Sequence, residues 1–127
     1  MKKAVLLGVV LALLPLVVHG EPEYGTFEWN DHTCRRNANY AKALMQQRQY
    51  GWSFTDSLAW IDEQLKNDPE LIKYNSTNLE TLNRQLFNIN AREAYLVKVE
   101  TLPQEKQRVI TDFELESYGE CMKVLER

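Results

Sequence analysis

Apolar positions between residues 34 and 45 recur at intervals of three and four: Cys34, Ala38, Ala41 and Met45. That spacing returns side chains to one face of a helix with 3.6 residues per turn, so it predicts a helix with a single apolar stripe. Asp31 or Thr33 suits its start, because a side-chain oxygen there accepts from backbone N–H groups that lack a partner inside the helix. The small alanines leave room for a second helix to come close. The pattern then breaks at QQRQYGWSF, residues 46–54. Gly51 suits the position just past a helix end, where the backbone turns left-handed without strain. Arg48 falls in the last turn, where a cation meets the negative end of the helix dipole. Ser53 and Thr55 are both suited to cap a following helix, and Ser53 with Asp56 resembles a capping box. The stretch therefore predicts a helix–turn–helix corner, with Trp52 and Phe54 packed across it.

The second predicted helix runs from about Thr55 to Lys66, with Phe54, Leu58, Ile61 and Leu65 on its apolar face and Trp60 bridging to a neighbour. Asn67-Asp68-Pro69 ends it, because proline cannot continue the hydrogen-bond ladder. Asp68-Pro69 suits the start of a short turn through Tyr74, and Asn75 to Asn78 form a polar connector. In the third helix Leu79, Leu82, Leu86 and Ile89 alternate spacings of three and four, and Leu96 returns to the register. Glu93 falls on that stripe. A lone buried carboxylate is costly, so it calls for a partner, and Arg84, Arg92 or Arg48 is the choice. After Pro103, suited to a first helical position, Val109, Ile110, Phe113, Ser117, Cys121 and Val124 share one face of a fourth helix. No run alternates long enough to demand a sheet. The expected fold is all-α: about four antiparallel helices with short connectors.

The ends of the chain add a compartment. Met1-Lys2-Lys3 precedes an apolar run from Ala4 to Val18, and Val18-His19-Gly20 suits a signal peptidase. Residues 1–20 read as a secretory signal peptide. An uncleaved membrane anchor is the rival, but Pro15 interrupts a run already short for a span. On the first reading the chain meets a membrane only through this segment, before cleavage, and its destination is the periplasm or the medium. Residues 21–31, EPEYGTFEWND, read as an extended aromatic arm carrying Tyr24, Phe27 and Trp29. That arm either covers the edge of the core or docks on a partner. Residues 32–127 form the helical domain. The lysine pair and compact signal suggest a bacterial source, where the glycosylation pattern at Asn75 carries no meaning.

Losing twenty residues and two lysines leaves a chain of 107 residues and moves the formal charge from −3 to −5. No basic stripe is present, which argues against electrostatic binding of nucleic acid. Behind a signal peptide, the even pair Cys34 and Cys121 reads as one disulfide, joining the first and last helices. Closing so long a loop stabilises by about 4 kcal/mol through chain entropy. A redox pair would call for close CxxC spacing, which is absent. His32 is the one histidine left after cleavage, and Asp31-His32-Thr33-Cys34 lacks the spacing of a closed zinc site, so no metal or cofactor is expected. No GxSxG turn, phosphate loop or dinucleotide fingerprint appears. No catalytic set is assigned.

One ordered set of residues spans nearly the whole mature chain: Cys34, Met45, Arg48, Gln49, Gly51, Ala94-Tyr95, Phe113, Tyr118 and Cys121. It resembles the pattern of small secreted bacterial proteins, many from prophage-like regions, which form a group without an assigned function. The arm before Cys34 and the tract from Trp52 to Asn78 do not add to the match. The resemblance implies secretion, a helical fold and one disulfide, and no activity. It also directs attention to Arg48 and Gln49, since an arginine there is suited to a forked contact with Glu93 or a backbone carbonyl.

The leading functional expectation is a non-enzymatic interaction protein of immunity, inhibitor or exclusion type, whose partner is another protein. Tyr24, Phe27, Trp29, Arg48, Gln49 and Trp52 are its candidate contact residues, and Arg48 with Glu93 a candidate buried pair. The alternatives are a small-ligand carrier with a pocket lined by Trp52, Trp60, Phe87 and Tyr95, and a hydrolase using carboxylates among Glu93, Glu114 and Glu116.

Overall fold

The computed structural model describes residues 23–69 and 77–126, the side chains of 77–82 excepted. The expected signal peptide, the sequon and the turn through Tyr74 lie outside these residues, as do the side chains of Leu79 and Leu82. Among the described residues are four helices and no strand: α1 (Phe27–Gln49), α2 (Phe54–Asn67), α3 (Thr77–Leu96) and α4 (Pro103–Leu125). Cross-links between elements fix their directions. Ser57 meets Gln47, while Asp68 meets Arg36, so α2 runs back along α1. Arg84 meets Asp62, while Tyr95 meets Ser57, so α3 runs antiparallel to α2. Lys106 meets Gln49, and Cys121 bonds Cys34, so α4 runs antiparallel to α1 along its length. The order is up-down-up-down.

The packing is not that of a square bundle. The broadest contact is α1 on α4, followed by α1 on α3 and then α3 on α2, so the helices stack in the order α4, α1, α3, α2. The residues explain why α1 and α3 come together. Asn90 Nδ2 donates to Asn37 Oδ1 at 2.9 Å, and both side chains are buried. Ala41 lies one turn beyond Asn37, and Ala94 one turn beyond Asn90, and both are fully buried. Small side chains and a paired amide let the two backbones approach where leucines would hold them apart.

α1 begins earlier than expected. The arm assigned to 21–31 is helical from Phe27, and neither Asp31 nor Thr33 caps the helix. Thr26 Oγ1 accepts from the N–H of Trp29 at 3.2 Å, and Glu28 in the first turn favours the positive end of the dipole. Gly25, at φ 86°, makes the turn just before this cap. The apolar stripe is simply longer than Cys34–Met45, with Trp29 and Asn30 buried at its start.

The corner after α1 forms as expected. Gly51 has φ 93°, the N–H of Trp52 donates to Gln47 O at 2.9 Å and that of Gly51 to Arg48 O at 3.4 Å. This is a Schellman end, which satisfies carbonyls the helix leaves open. Ser53 Oγ then accepts from the N–H of Asp56 at 3.1 Å and caps α2. Ile61 and Leu65 of α2 are buried, and Trp60 bridges to the Tyr40 ring of α1 at 5.7 Å. α4 starts at Pro103 and buries Ile110, Phe113, Ser117 and Cys121, while Val124 stays exposed. Cys34 and Cys121 are bonded across a sequence separation of 87, with Cα atoms 5.5 Å apart. A disulfide of this kind fits an oxidising compartment.

Leu86 of the third helix is buried as its stripe predicts, but from Ile89 onward the helix turns a different face inward. Ile89 is 46% exposed and Leu96 86%, and Glu93 is exposed as well. The buried positions are Asn83, Leu86, Phe87, Asn90, Ala91 and Ala94. The stripe is rotated by about one residue because the face carrying Asn90 and the alanines is the one that fits against α1.

Candidate functional site

The corner joins the end of α1 to the start of α2, and the connection between α3 and α4 lies against it. Gln49 holds that connection. Its side chain is 2% exposed, Nε2 donates to Lys98 O at 2.9 Å, and Oε1 accepts from the N–H of Glu100 at 2.8 Å. One amide thus pairs with a backbone donor and acceptor two residues apart, as a neighbouring strand would. Its own carbonyl accepts from Lys106 Nζ at 2.6 Å, which ties α4 to the same point. Arg48 works beside it. Nε donates to Val97 O at 3.1 Å, and the guanidinium lies over the Tyr95 ring, 5.2 Å from its centroid. The backbone carbonyl, and not Glu93, is therefore the partner of Arg48. Glu93 projects to solvent because α3 is rotated, which removes the expected buried pair.

A hydroxyl network closes the inner side of the corner. Ser57, fully buried, donates to Gln47 Oε1 at 2.7 Å and lies 2.6 Å from the Tyr95 hydroxyl. Tyr95 also reaches the carbonyls of Trp52 and Ser53 at 3.0 and 3.1 Å, and Phe54 packs on its ring edge at 5.3 Å. Gln47 and Ser57 escaped the sequence reading. A buried glutamine inside a polar run leaves no periodic signal, although the Ala-Tyr pair did mark Tyr95.

Two further polar clusters brace the other end of α1. Arg36 donates to Asp68 Oδ2 at 2.6 Å and Tyr40 to the same oxygen at 2.5 Å. Burial, followed by the hydrogen bond to Asp68, pushes the Tyr40 phenol up to about 12. Asp31 accepts from Tyr118 of α4 and, at 2.9 Å, from Arg35 Nε. These two hydrogen bonds, the Tyr118 one first, hold the Asp31 carboxyl below its usual value, and the same bond raises Tyr118. The cluster lies on the turns next to the disulfide and fastens α4 to α1 there.

The expected contact residues are thus divided. Tyr24 and Phe27 are exposed near the start of α1, but Trp29 is buried against the Tyr24 ring at 4.6 Å. Arg48 and Gln49 point inward at the far end, and Trp52 is exposed there. The residues named for a carrier pocket do not meet in one cavity either. Phe87 is core, 4.3 Å from the Tyr40 ring, whereas Trp52 and Trp60 line an outer groove of about 440 Å³ with Gly51, Asp56, Ala59 and Glu63. Of the three candidate hydrolytic carboxylates, Glu93 and Glu116 are exposed, and Glu114 faces Lys42 at 3.9 Å. Among the described residues no group of three or more His, Cys, Asp or Glu side chains is placed to hold a metal ion, and no helix is long and apolar enough to cross a membrane.

What the corner end presents outward is apolar. Tyr50, Trp52 and Phe54 are 63%, 44% and 38% exposed, and Leu96, Val99 and Leu102 of the clamped connection 86%, 41% and 55%. Six of the eleven large exposed hydrophobic side chains in the described residues therefore gather at one end of the molecule. Compared with known proteins, the chain matched no family model, no curated protein and no solved structure.

Proposed function

We propose that the protein is a small exported, non-enzymatic interaction protein that acts by covering a partner protein's surface, as an immunity protein, inhibitor or exclusion factor does. The observation that carries this reading is the apolar rim at the corner end. Exposed aromatics at one pole of a small body are costly to leave in water and are typical of interface cores. The rigid base beneath them supports the same reading. Arg48, Gln49, Lys106 and Tyr95 fix both loops that carry the rim, so little conformational freedom is lost on docking. Export to the periplasm or medium follows from the signal-like N-terminus and agrees with the disulfide. The resemblance to small secreted prophage-associated proteins points the same way.

The test is a crosslinking pulldown of tagged mature protein from its native periplasm, beside a Tyr50→Ser/Trp52→Ser variant. One stoichiometric partner should be recovered and then lost with the variant, whose melting temperature should stay near that of the parent. Recovery of no stoichiometric partner, or of a partner indifferent to both changes, refutes the proposal.

A further inference from the structure

We infer that the groove on the outer face of α2 receives an arginine or lysine side chain of the partner protein, an inference that rests on the interaction reading above. The groove is lined by two indoles, Trp52 and Trp60, and two carboxylates, Asp56 and Glu63, with Gly51 and Ala59 as its small residues. Asp56, Ala59, Trp60 and Glu63 recur at three- and four-residue spacing, so α2 itself holds them on one face. Trp52 joins them from the corner. Its position is fixed by the Gly51 turn and by the Tyr95 hydroxyl on its carbonyl.

The occupant follows from charge and ring chemistry together. α2 carries three carboxylates and one lysine within Phe54–Asn67. Asp62 is matched by Arg84 of α3 at 3.0 Å. Asp56 and Glu63 are exposed on the groove, and among the described residues neither forms a salt bridge. An aromatic face attracts a cation through its quadrupole, and a carboxylate beside it adds direct attraction. A neutral apolar side chain would satisfy the indoles but leave two carboxylates partly desolvated without a partner. A long cationic side chain satisfies both, with its methylenes on the rings and its head at the acids. Trp52 belongs to the apolar rim as well, so the groove continues the docking surface on one side.

The experiment titrates the full mature chain with an acetylated tri-arginine amide and, separately, with its neutral tri-citrulline counterpart. The indole N–H resonances of Trp52 and Trp60 are followed by NMR. The arginine peptide should move both resonances at millimolar concentration, and the citrulline peptide should not. Glu63→Gln should weaken binding about fivefold, the scale of one charged contact at an exposed aromatic site. Asp112→Asn, which removes the same charge from the exposed side of α4, should leave affinity unchanged. The inference is overturned if the arginine peptide leaves the indoles unmoved, if citrulline moves them equally, or if Asp112→Asn weakens binding as much as Glu63→Gln. Should the titration fail while the periplasmic partner is still captured through Tyr50 and Trp52, the interaction reading stands and the cationic contact alone is lost. Should both fail, both readings fall.

Discussion

Gln49 and Tyr40 show how much of the molecule rests on single polar atoms. The Gln49 amide bridges two backbone groups in the α3–α4 connection, donating to Lys98 O and accepting from the Glu100 N–H. Truncation to alanine should cost about 1–3 kcal/mol, the scale for stranding partly buried hydrogen-bonding groups. Gln49→Glu should be nearly as damaging, because a carboxylate can accept from Glu100 but only repels the Lys98 carbonyl. Denaturant unfolding gives the size of the loss, and faster hydrogen exchange at the Glu100 amide locates it; unchanged exchange would contradict the clamp. Tyr40 supplies a pH dependence. Its phenol titrates near 12 in the folded chain against about 10 when exposed, so folding favours the protonated form. The stabilisation is complete below pH about 10 and is lost as pH rises from there through about 12. Tyr118 is raised as well by its bond to Asp31, so phenolate absorbance should show late titration that Tyr40→Phe reduces by one phenolate without abolishing it. Nothing in the sequence foretold either role. Gln49 sits in a polar run, and its partners come from a loop about fifty positions away.

Helix α3 is the element whose reading the fold corrected, and it carries a prediction of its own. The leucine and isoleucine series at 79, 82, 86 and 89 is the most regular apolar pattern in the chain, yet the face turned to α1 carries Asn90, Ala91 and Ala94. Hydrophobic spacing reports that a helix has an apolar side; it does not say how closely a neighbour must approach. Where backbones come close, alanine and a paired asparagine displace leucine, and a periodicity count scores them as weak or polar. Ile89→Gln should therefore change stability by no more than about 0.5 kcal/mol, whereas Ala94→Leu should cost about 1–3 kcal/mol by overpacking. The reverse order in thermal unfolding would restore the leucine stripe as the core face. Elements with ordinary spacing were legible from residues alone: the α1 stripe, the Gly51 end, the Ser53 cap and the Pro103 start all stand where sequence puts them. The start of α1 was not, because Gly25 and Pro22 suggested a broken arm while Thr26 supplied a cap just beyond them.

At the scale of the whole molecule, α1 and α4 are two helices of equal length, each 23 residues, or about 34 Å. They are fastened at both ends. Lys106 on the Gln49 carbonyl closes one, and the disulfide with the Asp31–Tyr118 bond closes the other. α4 leans almost wholly on α1, with only slight contact to α3. If the bridge is missing, α4 therefore depends on its packing against that one helix. A crosslink spanning 87 positions removes about 4–5 kcal/mol of chain entropy from the unfolded state. Small domains have about 5–15 kcal/mol in total, so the bridge represents a large share of the margin. A Cys34→Ala/Cys121→Ala variant should unfold at markedly lower denaturant, and α4 amides should exchange before those of α3. Both sulfur-bearing residues are buried, at 0% and 1% exposure. A mild reductant should consequently act on the native protein only as fast as it opens, and adding the reductant to partly unfolded protein should accelerate the loss. If the variant keeps the parent's midpoint, α4 is held by packing alone, and the dependence of this fold on an oxidising compartment disappears with it.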